Sequence, residues 1–165
     1  MAMLRLNYAD GRRLIIPAQT IKAIQGASAK LVESNPDARS GIYYLMSGHI
    51  RYAGLRESVS AVKGMIDKDK VADAEWFEVE NGEGLPFIMQ TDGIRGLSAL
   101  DPESPAKGAP EASIGCSLQI DLELAPGVCV VVYGHGDADE IASIIEPEAI
   151  KRAPTPPARR QNRKA

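Results

Sequence analysis

The chain has 165 residues, 44% hydrophobic and 25% charged, with a net charge of −3, which is the make-up of an ordinary soluble globular protein. No apolar run approaches the ~18 residues that a membrane-spanning helix needs. The start, Met1-Ala2-Met3-Leu4-Arg5, lacks the basic-then-apolar layout of a secretory signal. Cytoplasmic synthesis and no membrane partner are therefore expected.

Leu4-Arg5-Leu6-Asn7-Tyr8 alternates apolar and polar residues, as a half-buried strand does. Ala9-Asp10-Gly11 then turns the chain, and Arg12–Ile16 returns until Pro17 ends the strand or bends it at an edge. Ala18–Gln25 carries Ile21 and Ile24 inward, before a polar loop over residues 26–41. A second hairpin follows, 42–46 with 50–52 about Ser47-Gly48-His49. Ser58 is placed to cap a helix whose Val59, Val62 and Ile66 share one face. Residues 67–76 form a charged linker.

The order then repeats. Phe77-Glu78-Val79 turns through Gly82-Glu83-Gly84 into Phe87-Ile88-Met89, and a loop over 99–115 carries three prolines. From Cys116 to Leu124 apolar residues alternate with Ser117, Gln119, Asp121 and Glu123. Residues 128–133 are apolar throughout, as in a strand covered on both faces. Asp137 followed by Glu140 reads as a capping box opening a helix with Ile141, Ile144 and Ile145. Residues 149–165 form a basic arm with Pro154, Pro156 and Pro157.

Residues 4–24 overlay 77–97 without a gap at an offset of 73, so that Gly11 meets Gly84. Beyond the loops Gly48 meets Gly127 and Ile66 meets Ile145 at an offset of 79, so six added residues are expected in one loop. The expected fold is α+β, mainly β: a tandem duplication of a β-β-β-β-α unit, two hairpins and a covering helix. Its parts are a basic repeat (1–66), the linker (67–76), an acidic repeat (77–148) and the arm (149–165). Each repeat is near the size at which a lone core is marginal, so the two should pack on each other or on partners.

Cys116 and Cys129 build no disulfide framework. Pairing outward from Pro126-Gly127 sets Cys129 opposite a residue near Glu123, about seven residues from Cys116, or roughly 23 Å along a strand. Buried free thiols are expected.

Asp10-Gly11, Ile16-Pro17-Ala18-Gln19-Thr20-Ile21, Asn35-Pro36-Asp37, the Gly48 turn and Arg56-Glu57-Ser58-Val59 give residues 4–66 an outline that resembles the FlbD family of small flagellar proteins. Similar hairpin–helix units occur in phage proteins. Family members are single units with shorter loops, and the resemblance implies a small β-hairpin–helix fold without catalytic residues.

Charge separates the repeats. Residues 1–66 hold nine Lys/Arg against four Asp/Glu, a balance of +5. Residues 77–145 hold two against twelve, a balance of −10. Two copies of one shape with opposed charge suit contact within the chain or between neighbouring chains; between chains the contact would be heterologous and build a ring or array. In the arm, Arg152, Arg159, Arg160, Arg163 and Lys164 offer positive charge to another protein surface, or less favourably to nucleic acid.

Candidate chemistry is sparse. Tyr43, Tyr44, Arg51, Tyr52 and Arg56 could stack on a ligand ring, although adjacent Tyr43 and Tyr44 must point to opposite faces. His135-Gly136-Asp137 leads into a helix start, which could hold an anion; His49 sits in a turn. The sequence spells no metal-ligand spacing, phosphate loop or dinucleotide fingerprint, and no catalytic residue, metal or cofactor is assigned. A non-enzymatic assembly protein is expected, one that self-associates or decorates a larger particle such as a bacteriophage virion. A nucleotide-binding module using the tyrosine–arginine patch is the alternative, and a nucleic-acid-binding regulator acting through the arm is third.

Overall fold

Leu4, Leu6, Leu14 and Ile16 are buried while Arg5, Arg13 and Ile15 between them face outward. That alternation builds the first hairpin of the computed structural model, β1 (Met3–Asn7) against β2 (Arg13–Pro17), and Gly11 takes the turn at φ +95°. The structure describes residues 3–68 and 75–152, with side chains as far as residue 145. A 3₁₀ turn, Ala18–Thr20, is held by the Thr20 hydroxyl donating to Pro17 O at 2.7 Å, and leads into β3 (Ile21–Gly26). Then come α1 (Ala29–Ser34), β4 (Ser40–Met46), β5 (His49–Leu55) and α2 (Val59–Lys68). Ser58 accepts from Ala61 N at 3.1 Å and caps α2, and Val62 and Ile66 are its buried residues.

The second half runs β6 (Trp76–Asn81), β7 (Pro86–Gln90), a 3₁₀ turn (Thr91–Gly93), β8 (Ile94–Ala99), a 3₁₀ turn (Glu111–Ser113), β9 (Leu118–Ala125), β10 (Val128–His135) and α3 (Ala138–Arg152). The elements β1, β2, the first 3₁₀ turn and β3 recur at an offset of 73 as β6, β7, the second 3₁₀ turn and β8, with β6 one residue longer than β1. The class is α+β and mainly β, as expected. Each half has five strands, not the four of the expected unit, because 21–26 and 94–99 are strands. A register shift between Ile21 and Ala23 turns both Ile21 and Ile24 inward, and the same shift recurs between Ile94 and Gly96. Their spacing of three does not alternate like a strand.

Pairing is equivalent in the two halves. In the second, the order is β7-β6-β10-β9-β8. In the first, β5-β4-β3 lie side by side, and the β1–β2 hairpin joins β5 through the Tyr8–Leu55 bridge. That bridge matches Asn81–Gly134 between β6 and β10. The halves meet where β3 pairs with β7, through Ala23–Met89, Ile24–Ile88 and Gln25–Phe87, giving one eight-stranded sheet.

Two cores form, on opposite faces of that seam. Ile24, Ile42, Leu55, Val62 and Ile66 belong to the first, and Ile88 of β7 joins them. Met89, Ile120, Leu122, Val132 and Ile141 belong to the second, which Ala23 of β3 joins. Partners across the seam share a face, so alternation along β3 and β7 sends successive residues to different cores.

Several boundaries move. The loop expected over 26–41 contains α1, capped by Ser28 accepting from Leu31 N at 3.1 Å. Of the expected linker, Asp67 and Lys68 belong to α2 and Trp76 to β6, and residues 69–74 lie outside the described residues. Helix α3 continues to Arg152, into the span expected to be arm. The six added residues are divided: β9 pairs with β8 at an offset of 78 from β4 with β3, and the sixth is taken up at Leu124, where a shift pairs Val128 with Ala125 but Cys129 with Glu123. Ser47 and Gly48, both at positive φ, make a two-residue turn whose twist suits a hairpin. Pro126 fixes a negative φ and cannot make that turn, which accounts for the bulge beside it.

Strand β10 is not covered on both faces, since Val128 and Val131 are exposed. Cys116 is buried and free as expected, and Cys129 is free but exposed. Among the described residues no helix is long and apolar enough to cross a membrane.

Candidate functional site

The tyrosine–arginine patch lies on β4 and β5, and pairing divides it. Tyr43 is opposite Tyr52 and Tyr44 opposite Arg51, so the two pairs occupy opposite faces. Tyr43 and Tyr52 hold their rings 4.9 Å apart, tilted by 51°. Gln25 Nε2 donates to the Tyr52 hydroxyl at 2.8 Å, and Gly41 leaves the room in which that ring lies across β4. Burial raises the pKa of both phenols.

Tyr44 belongs to the first core and is only 3% exposed. Its hydroxyl lies 3.3 Å from that of Tyr8, whose ring carries the Arg12 guanidinium 4.7 Å from its centre. Burial, with the Tyr8 hydrogen bond second, pushes the Tyr44 pKa up to about 12. Arg56 stands apart: its Nε donates to Ala9 O at 3.3 Å and its Nη2 lies 3.8 Å from the Asp37 carboxylate. The five residues therefore do not converge; Tyr43 and Tyr52 are the pair whose rings adjoin, tilted against each other.

A concavity of about 360 Å³ opens at the seam between the halves. Gln25 and Tyr43 line it from the first half, and Phe87, Val131 and Tyr133 from the second. Its charged lining residues, Glu83 and Glu111, are both acidic. Such a groove repels nucleotide phosphates, which weighs against the nucleotide reading. Val131 and Ile114 leave 49% and 59% of their surface exposed at its margin. The sequence pointed to Tyr43 but not to the groove, which needs β3 beside β7 and β10 near the Glu111–Ser113 turn.

His135 ends β10, exposed and paired with Glu80. The Asp137 carboxylate accepts from Asp139 N at 2.9 Å and Glu140 N at 3.2 Å. Ser117 Oγ accepts from Gly136 N at 3.0 Å and donates to Gly136 O at 2.8 Å. The chain's own groups thus take amides that an anion would need, and Asp139 and Glu140 add negative charge. No known protein family, curated protein or solved structure matches this chain.

Other sequence candidates are placed as follows. His49 is exposed at the start of β5. Asp121 accepts from Gln119 Nε2 at 3.2 Å, and Glu123 lies 3.3 Å from Arg95 Nη2. Among the described residues no cluster of three or more His, Cys, Asp or Glu is arranged to hold a metal ion. Arg152 is the last residue of α3, and Arg159, Arg160, Arg163 and Lys164 lie outside the described residues.

Of the two outer strands, β2 was expected from the sequence and β8 was not, and their open edges are the more informative surface. Among the described residues, no strand pairs with β2 on the side away from β1, or with β8 on the side away from β9. A strand edge presents unpaired N–H and C=O groups ready for another chain. Internal alignment is the signal that finds them, since β2 and β8 match the two strands already joined at the seam.

Proposed function

We propose that this is a non-enzymatic assembly protein, which associates through its own copies and in that form builds or decorates a larger particle, such as a phage virion. The observation that carries this reading is a pair of halves alike in element order and pairing but opposed in charge, +5 over residues 1–66 and −10 over 77–145. Duplication of one ancestral unit accounts for the likeness. Opposed charge on like units favours contact between unlike halves of neighbouring molecules and disfavours contact between like ones. The basic terminal segment, 153–165, adds a further contact to an acidic surface.

Sedimentation of the full chain across a salt series tests this. A multimer at low salt that dissociates toward 1 M salt, where screening reaches within about 3 Å, is the expected result. Removal of residues 153–165 is expected to weaken it. A monomer indifferent to salt would sink the reading.

A further inference from the structure

The seam inside the chain shows how one unit receives the next. Strand β7 brings Ile88 into the first core, where it is 6% exposed and paired with the fully buried Ile24. Trp76 of β6 and Met65 of α2 pack against the same core. At the offsets already established, 73 for the strands and 79 for the helices, Ile88 corresponds to Ile15, Trp76 to Met3, Ile24 to Leu97 and Met65 to Ile144. Met3 and Ile15, at the outer edge of the first half, are 44% and 46% exposed. Ile144, beside β8 on the far half, is 58% exposed, and Leu97 is half-buried. At the seam Ile24 and Ile88 are buried and Trp76 and Met65 half-buried, whereas of their counterparts at the two ends of the molecule Met3, Ile15 and Ile144 are exposed and Leu97 is half-buried.

We propose that β8 and α3 of one copy receive the β1–β2 edge of a second copy, reproducing between chains the joint that β3 and β7 make within one. The geometry sets the register: Gly96 opposite Ile16, Leu97 opposite Ile15, and Ser98 opposite Leu14. Continued outward, it brings exposed Arg13 alongside Ala99, close to Asp101 and Glu103. Basic residues of one molecule thereby meet acidic residues of the next. A second copy fits better than an unrelated partner because both halves of the joint, with matching register and charge, are present on one chain.

The assembly is heterologous and open. Moving from the first half to the second keeps the strand order across the sheet, while reversing strand direction and core face. Repeating that operation advances along the sheet and leaves one free edge at each end. The joint between chains is also weaker than the internal one. Gln90 Nε2 donates to Ile21 O at 2.9 Å across the seam, and its counterpart is Pro17, which has no donor. Association is therefore reversible and concentration-dependent.

This site rests on the assembly reading above, and the test separates the two. In the full chain, Ile15→Asp and Ile144→Lys change exposed residues, so strand content and monomer unfolding should match wild type. Each is expected to weaken association about 100-fold in sedimentation, because a charge would be buried without a partner. In a Cys129→Ser background, Ile15→Cys with Leu97→Cys should form disulfides between chains, at a spacing antiparallel partners allow, and give a ladder on non-reducing gels. Multimers that survive both charge substitutions, or cross-linking that stops at dimers, would refute this joint and leave the assembly reading in place. A wild-type chain still monomeric at about 1 mM would overturn both, whether its edges are covered by residues 153–165 or by a different protein.

Discussion

Tyr44 shows how one residue records its position in the sheet. It faces the first core, opposite in direction to Tyr43, and its hydroxyl finds Tyr8. Its pKa is raised from 10 to about 12, so the folded state holds the phenol proton more tightly than the unfolded chain does. The stability from that difference is complete below pH 10 and is lost as pH rises from 10 to 12. At pH 11 the loss is on the order of 1 kcal/mol. Urea midpoints at pH 8 and pH 11 should show that fall in wild type and less of it in Tyr44→Phe. Cys116 is likewise decided by position: burial beneath the Glu111–Ser113 turn raises its thiol pKa and makes it the less reactive of the two cysteines.

At the scale of elements, glycines mark where strands close. Gly134 lies where β10 crosses to β6, and a Cβ there would run into the Glu80 carbonyl oxygen. Backbone cannot give way as a flexible side chain would, so Gly134→Ala should cost about 3 kcal/mol, read from chemical denaturation. Gly127 has open space around it but sits at φ +77°. Gly127→Ala should therefore cost only about 1 kcal/mol, from backbone conformation alone. These elements were unequally legible in the sequence. The alternation of β9 and the capping serine of α2 could be read directly. Strands β3 and β8 could not, because a bulge sets Ile21 and Ile24, like Ile94 and Leu97, three apart on one side.

For the whole molecule, the seam is where sequence and energetics part. Ile88 and Ile15 are equivalent isoleucines on equivalent strands, yet one is buried by the other half and the other is bare. Ile88→Ala should cost about 2–4 kcal/mol in thermal or urea unfolding of the monomer. Ile15→Ala should stay within about 0.5 kcal/mol of wild type under the same conditions. Equal losses would mean that the β2 edge is already covered. The candidate patch was legible only as residue types: pairing of β4 with β5 sends Tyr43 and Tyr52 one way and Tyr44 and Arg51 the other.

The sequence by itself determined the class, the turns, the repeated order of elements and the division of charge. Those follow from local backbone preference and from the period of apolar residues, which need no knowledge of distant neighbours. Only the tertiary structure decided which strands are joined and which edges stay open. Edge pairing is a choice between strands of similar local pattern, and it is settled by which core each side chain enters across a seam of 60 or more residues. The same physics that closed β3 on β7 leaves β8 and β2 with matching faces and no partner among the described residues.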